Sequence, residues 1–331
     1  MRSSSPGKIR AAAVAWAAIA LLAAVSAPAQ DEKSPAKPPA PKTAGAPAAA
    51  PSTETPSLHE PRKVGEGVWA VMTKGGANAG WFLFGDSVVA VDAGRSNADA
   101  EELLADIAAT AGKKPVSYLV LTNDFGPHAG GVEAFAKRGA AIVCDERFAA
   151  GFQEVASKAG APSAVLGVSM RLVLARAGRH VIIRHLGPAD SAGDLAVFLP
   201  DEKILFSGDL AESVLLPPLF SKSIDPEGWL GALTVLGNLN AKALVPGYGP
   251  IGPPEGIAAT RDYLEHAIAA AQTIVREKIK DDFLPTRIGQ PDLRINKLPP
   301  ELASSHEANM RALVAYYRAK AEKAPAPPGK P

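Results

Sequence analysis

The chain has 331 residues, 47% of them hydrophobic, so it can bury a large core and is not disordered throughout. Lys and Arg total 35 against 34 Asp and Glu, a formal net charge of +1, so no charge excess draws the chain to nucleic acid or an anionic membrane. The single cysteine, Cys144, rules out an internal disulfide.

The first segment has the composition of an export signal. Arg2, Lys8 and Arg10 precede an uncharged apolar run from Ala11 to Val25, and Ala27-Pro28-Ala29 supplies a small-x-small cleavage pattern. A signal peptide over residues 1–29, cut after Ala29, is therefore expected, with the mature protein periplasmic or secreted. The apolar run is shorter than the roughly 20 residues that span a bilayer, so no stable membrane insertion is expected after cleavage. No cysteine lies at the cleavage point to carry a lipid. Residues 30–60 are Pro/Ala-rich with hardly any large apolar side chain, which predicts a disordered linker, and residues 321–331 repeat that composition as a tail.

Residues 61–320 carry the folded domain. Strands are predicted over 68–73, 80–84 and 87–92, with Gly85-Asp86 as a turn, followed by a helix that Ser96 or Asn97 can cap and that places Leu103, Leu104, Ile107 and Ala108 on one face. Strands at 116–121 and 141–144 then alternate with helices at 131–137 and 148–158. Cys144 ends an apolar strand and reads as an inert packed thiol. Strands return at 171–175, 179–185, 194–199 and 203–207, then a helix at 227–239 with Trp229 and Leu233 on its buried face, a strand at 243–245 and a long helix over 255–280. Two halves that each begin with strands and close with helices imply packed sheets covered by helices.

Polar groups gather where three loops leave buried strands: Thr122 to Gly131, Gly187 to Asp194, and the turns Ser207-Gly208-Asp209 and Pro246-Gly247-Tyr248-Gly249. From about Val64 to Val275 these segments resemble the metallo-beta-lactamase superfamily in order, spacing and Gly/Pro framework. That family carries Thr-His-x-His-x-Asp-His-x-Gly-Gly, a later His, a Gly-Asp and a Pro-Gly-His-Gly. The framework is matched here by Thr122, Gly130, Gly131, Gly208, Pro246, Gly247 and Gly249, and Val91-Asp92-Ala93-Gly94 is similar to the family's structural Val-Asp-x-Gly turn. The resemblance implies an α/β fold, a four-layer αββα sandwich.

The ligand positions implied by the resemblance are mostly changed. Asn123, Phe125, Pro127, Asp190 and Tyr248 stand where the family has ligands, and only His128 and Asp209 match. Phe125 and Pro127 have no side-chain heteroatom that could coordinate, and a catalytic zinc needs about three protein ligands plus a water. No tightly bound cofactor is expected. The alternative is weak zinc, or one hard ion, manganese or iron, on His128, Asp209 and Asp190. Without metal, Asp209 beside His128 favours a protonated ring whose charge partly replaces the ion, either as a plain salt bridge or, with Tyr248, as a group that moves a proton or anchors an anion.

His180 and His185 read as surface or hairpin residues, and His59, His266 and His306 have no partner at metal-ligand spacing. Leu215 to Phe220 reads as an apolar loop at the mouth. The expected function is a pseudoenzyme binding a small molecule or a periplasmic protein, without nucleic acid. The alternative is a hydrolase of an ester, thioester or lactam using His128, Asp209 and Tyr248.

Overall fold

The computed structural model describes residues 59–161, 163–212, 224–290, 292, 298 and 300–323. The expected signal peptide, nearly all of the linker, the apolar loop 215–220 and the tail from 324 lie outside the described residues.

Four strands open the fold: β1 (Arg62–Gly65), β2 (Val68–Met72), β3 (Asn78–Phe84) and β4 (Ser87–Val91). Strands and helices then alternate through α1 (Asn97–Ala111), β5 (Val116–Val120), α2 (Gly126–Ala129), α3 (Val132–Lys137), β6 (Ala141–Asp145), α4 (Ala149–Lys158) and β7 (Val165–Val168). The second half runs β8 (Arg171–Arg176), β9 (Arg179–His185), β10 (Leu195–Leu199), β11 (Ile204–Gly208), α5 (Pro226–Gly237), β12 (Ala243–Pro246), α6 (Glu255–Arg276), α7 (Leu284–Ile288) and α8 (Ala303–Lys323).

β1 to β7 form one sheet in sequence order, antiparallel through β4 and parallel from β4 to β7. The second sheet has the order β12-β11-β10-β9-β8, parallel only between β11 and β12. Parallel neighbours need a crossover, and α1, α2 with α3, α4, and α5 supply one for each parallel pair.

Alternation within strands sorts side chains into layers. Phe82, Phe84, Val89 and Val91 point between the sheets and meet Val181, Ile183, Leu195, Val197, Leu199 and Phe206. Trp81, Val88 and Ala90 face outward onto Leu103 and Ile107 of α1 and Phe135 of α3. On the other side Phe198, Leu205 and Leu244 pack under Trp229 and Leu233 of α5, Leu264 and Ile268 of α6, and Leu313 of α8. The result is an αββα sandwich. Among the described residues, no helix is long and apolar enough to cross a membrane.

Ser96 caps α1, its side chain accepting from the Asp99 amide. β1 and β7 are not predicted, because Arg62-Lys63 with Gly65 in one and Gly167 in the other leave neither with a run of strand-favouring residues. α6 stops at Arg276 rather than Lys280. α8 continues to Lys323, past the expected boundary at 320, where Tyr317 and Lys320 both reach Glu227.

Candidate functional site

β4 ends in a turn at Asp92, whose φ of 62° lies in the left-handed region. That conformation costs a non-glycine residue on the order of 1 kcal/mol, and hydrogen bonds to the carboxylate offset it. Asp92 Oδ1 accepts from the Thr122 amide at 2.8 Å and from Thr122 Oγ1 at 3.0 Å, while its Oδ2 lies 2.9 Å from Nδ1 of His128. The Thr122 carbonyl accepts from the Leu195 amide at the head of β10, so the loop after β5 is tied to the second sheet.

The family-like loop follows. Asn123 turns its Oδ1 to the Phe125 amide at 3.0 Å and donates from Nδ2 to Asp209 Oδ2 at 2.9 Å. Phe125 is 37% exposed, unlike the fully buried His128. Pro127 sits in the first turn of α2, where its missing N–H removes no helix hydrogen bond. His128, one residue on, is fully buried, with Nε2 2.9 Å from Asp209 Oδ1 at the end of β11. Tyr248 places its ring edge-on to His128, the centroids 5.6 Å apart at 83°.

The glycines of this framework are sites of close approach. A Cβ on Gly130 would stand 1.9 Å from the Arg95 carbonyl oxygen, and one on Gly247 would stand 2.3 Å from Asp209 Oδ1. Asn78 holds the Gly247 turn, donating from Nδ2 to the carbonyls of Pro246 and Gly249, both at 2.9 Å.

Burial works against a charged His128, but Asp209 and Asp92 outweigh it and hold the ring well above the ordinary histidine range. His128 is therefore an imidazolium at neutral pH and donates to both carboxylates. The remaining acids respond in the opposite sense. Burial, then Asp209 and Asp194, push the Asp190 carboxyl well up, and burial followed by Asp209 does the same for Glu212. Burial lifts Asp194 to about 7, against hydrogen bonds from Ser191. Tyr248 is raised by burial and by Asp209, so its phenol stays protonated. Asp190 Oδ1 and both Glu212 oxygens are buried without a hydrogen-bond partner among the described residues, as suits carboxyls kept neutral; the Tyr248 backbone amide exerts only a small pull on Glu212.

The structure thus brings His128, Asp209, Asn123 and Tyr248 together, with Asp190 buried close enough to feel both His128 and Asp209. Sequence reasoning missed the direct Asp92–His128 contact, Asn78, Asp194 and Glu212. An acid flanked by apolar residues in Leu210-Ala211-Glu212 was the available signal for the last. The reading of His185 as a surface or hairpin residue is corrected. Its side chain is 7% exposed, with Nδ1 3.3 Å from Asp145 Oδ2 and Nε2 3.3 Å from Arg147, because the end of β6 folds over the end of β9. His180 is exposed and 3.6 Å from Asp201, His59 is exposed against the Met72 carbonyl, and His306 is buried against Tyr263.

These residues do not fit zinc. A metal-binding imidazole offers one nitrogen to the ion and its other N–H to a carboxylate, whereas both nitrogens of His128 are taken by carboxylates. Asn123 presents its N–H₂ to Asp209, not its oxygen. Among the described residues, no three or more His, Cys, Asp or Glu side chains are grouped to hold a metal ion.

Residues 72–248 match the family model of the metallo-beta-lactamase superfamily. A metallo-beta-lactamase from Pontibacter korlensis is 25% identical, with a TM-score of 0.53 over 62% of this chain and 98% of that one. The DIM-1 metallo-beta-lactamase is 20% identical, with a TM-score of 0.53 over 64% of this chain and 100% of its own. FIM-1 from Pseudomonas aeruginosa, in its mono-zinc form, is 20% identical with a TM-score of 0.51 over 62% and 95%. No curated protein matches the sequence. With its two sheets, its outer helices and a family model that spans more than half its length, the chain belongs to the metallo-beta-lactamase superfamily.

Proposed function

We propose that this protein is a pseudoenzyme, keeping the fold of its superfamily while a buried Asp92–His128–Asp209 ion triad stands in for the metal, and that it serves as a binding protein for a small molecule or a periplasmic protein. The observation that carries this reading is the double engagement of His128, at 2.9 Å on each side. An imidazolium held between two carboxylates supplies a fixed positive charge without offering a lone pair to an ion. The neutral carboxyls of Asp190 and Glu212 and the phenol of Tyr248 are donors and acceptors suited to a polar ligand, but none is an activated nucleophile.

Elemental analysis of untagged protein tests this directly. Zinc should be well below one equivalent, and a chelator should leave the melting temperature unchanged. Restoring Asn123→His, Phe125→His, Pro127→Asp, Asp190→His and Tyr248→His together should create zinc binding, whereas any one alone should not. Stoichiometric zinc held through His128 and Asp209, with hydrolysis of an ester, thioester or lactam lost on chelation, would overturn the reading.

Export belongs to the same proposal. The basic start, the apolar run and Ala27-Pro28-Ala29 support it, and a mature protein released with the periplasm should begin at Gln30 or within a residue or two of it. An intact amino terminus in the membrane fraction would sink this part alone.

A further inference from the structure

β8 is the free edge of the second sheet, regular over Arg171–Arg176 and joined only to β9. Alternate backbone groups of an antiparallel edge strand face away from its neighbour, and those of β8 have no partner among the described residues. Such an edge is a template for another strand.

Its side chains are charged in one sense. Between Glu154 and Asp190 the sequence has no carboxylate side chain, while Lys158, Arg171, Arg176, Arg179 and Arg184 are cationic. Arg176 is paired with Asp86 and Arg179 with Glu202, each acid coming from another part of the chain. Arg171 and Arg184 have no such partner among the described residues, although they are direct cross-strand neighbours. Like charges placed opposite each other on a sheet are destabilising, and an anion between them removes the conflict. On the same face of β8 Val173 is 44% exposed, and just before the strand Met170 is 75% exposed. Leu172 and Leu174, on the inner face, are only partly covered.

A second copy of β8 does not suit this edge, since it would bring further arginines and no carboxylate to Arg171 and Arg184. Two arginines and a few scattered apolar side chains are likewise too little to hold the domain on an anionic bilayer. We propose that β8 docks an extended acidic segment of a partner protein, which adds to the sheet as a strand, sets a carboxylate beside Arg171 and Arg184 and covers Val173 with an apolar side chain two residues away. The site lies on the sandwich edge and does not depend on whether the buried centre holds metal.

The test uses the full chain and a blocked, fluorescent synthetic Glu–Val peptide that repeats Glu-Thr-Val-Thr, so that Glu and Val lie two residues apart on one face of a strand, with a Lys–Val peptide that carries Lys in place of Glu and vesicles of anionic phospholipid as comparisons. The Glu–Val peptide should bind, with amides of residues 171–176 gaining protection from hydrogen exchange, and the Lys–Val peptide should not. The double variant Arg171→Glu with Arg184→Glu should weaken Glu–Val binding by about tenfold or more and make the Lys–Val peptide the better ligand. A single Val173→Ser variant, mild enough to keep the fold, should weaken it to a lesser degree. Failure of the Glu–Val peptide to bind, binding that ignores the charge reversal, protection confined to other strands, or vesicle binding lost in the same double variant would overturn the proposal.

Discussion

His128 holds its Nε2 2.9 Å from Asp209 Oδ1. With Nδ1 already committed to Asp92, the ring joins β4 of one sheet to β11 of the other through charge. Replacing it by leucine removes the cation that lies between two buried carboxylates, and breaking a buried pair in this way costs roughly 3–5 kcal/mol. Urea denaturation of His128→Leu should show that loss. A loss within the error of the measurement would show that the carboxylates do not need the imidazolium.

The same triad sets an alkaline limit. His128 is raised well above 6.5, so the native state keeps its proton longer than the unfolded chain does, and its contribution is full below 6.5 and lost as pH rises through the higher folded value. Asp194, lifted to about 7 from 3.8, also makes stability fall as pH rises between those values. Asp194→Asn should flatten the stability profile across that interval, as read from denaturant midpoints at a series of pH values.

His306 acts in the opposite direction. Burial and then the nearby His266 hold it below 6.5, so the native state resists a proton that the unfolded chain takes up, and stability falls as pH drops below 6.5. The ring accepts or donates at Nδ1 with Tyr263 at 3.2 Å, while its Nε2 is buried without a partner among the described residues. His306→Gln should remove up to about 1.4 kcal/mol per pH unit of acid sensitivity. Equal acid slopes for the two proteins would contradict this.

Gly247 controls the triad by contact. Gly247→Ala drives a Cβ to 2.3 Å from Asp209 Oδ1 and 2.8 Å from the Gly208 carbonyl carbon, so the carboxylate must move away from His128. A destabilisation of about 1–3 kcal/mol follows from such overpacking, together with a lower His128 pKa by NMR. An unchanged histidine titration would mean that Asp209 had kept its place.

Cys144 should be inert. It is 1% exposed, and burial followed by the charge of Asp145 pushes its thiol up to about 12. A thiol reagent should label it only after denaturant is added, and labelling of native protein at the unfolded rate would contradict the packing.

The sequence alone determined the layered fold, because short apolar runs such as Val88 to Val91 mark strands buried on both faces and helical spacing such as Leu103 and Ile107 marks the buried face of a helix. Its resemblance to the family also implied a changed ligand set, since the side chains of Phe125 and Pro127 carry no atom that could coordinate. Only the tertiary structure decided what His128 does. Its partners Asp92 and Asp209 lie 36 and 81 residues away in the chain, and no local period encodes a contact made between two sheets. The same holds for the burial of Glu212 and His185 and for Arg171 and Arg184, which no acid pairs among the described residues. Whether a charge is neutralised depends on which distant groups the fold brings within a few ångströms, and on how much water it excludes from between them.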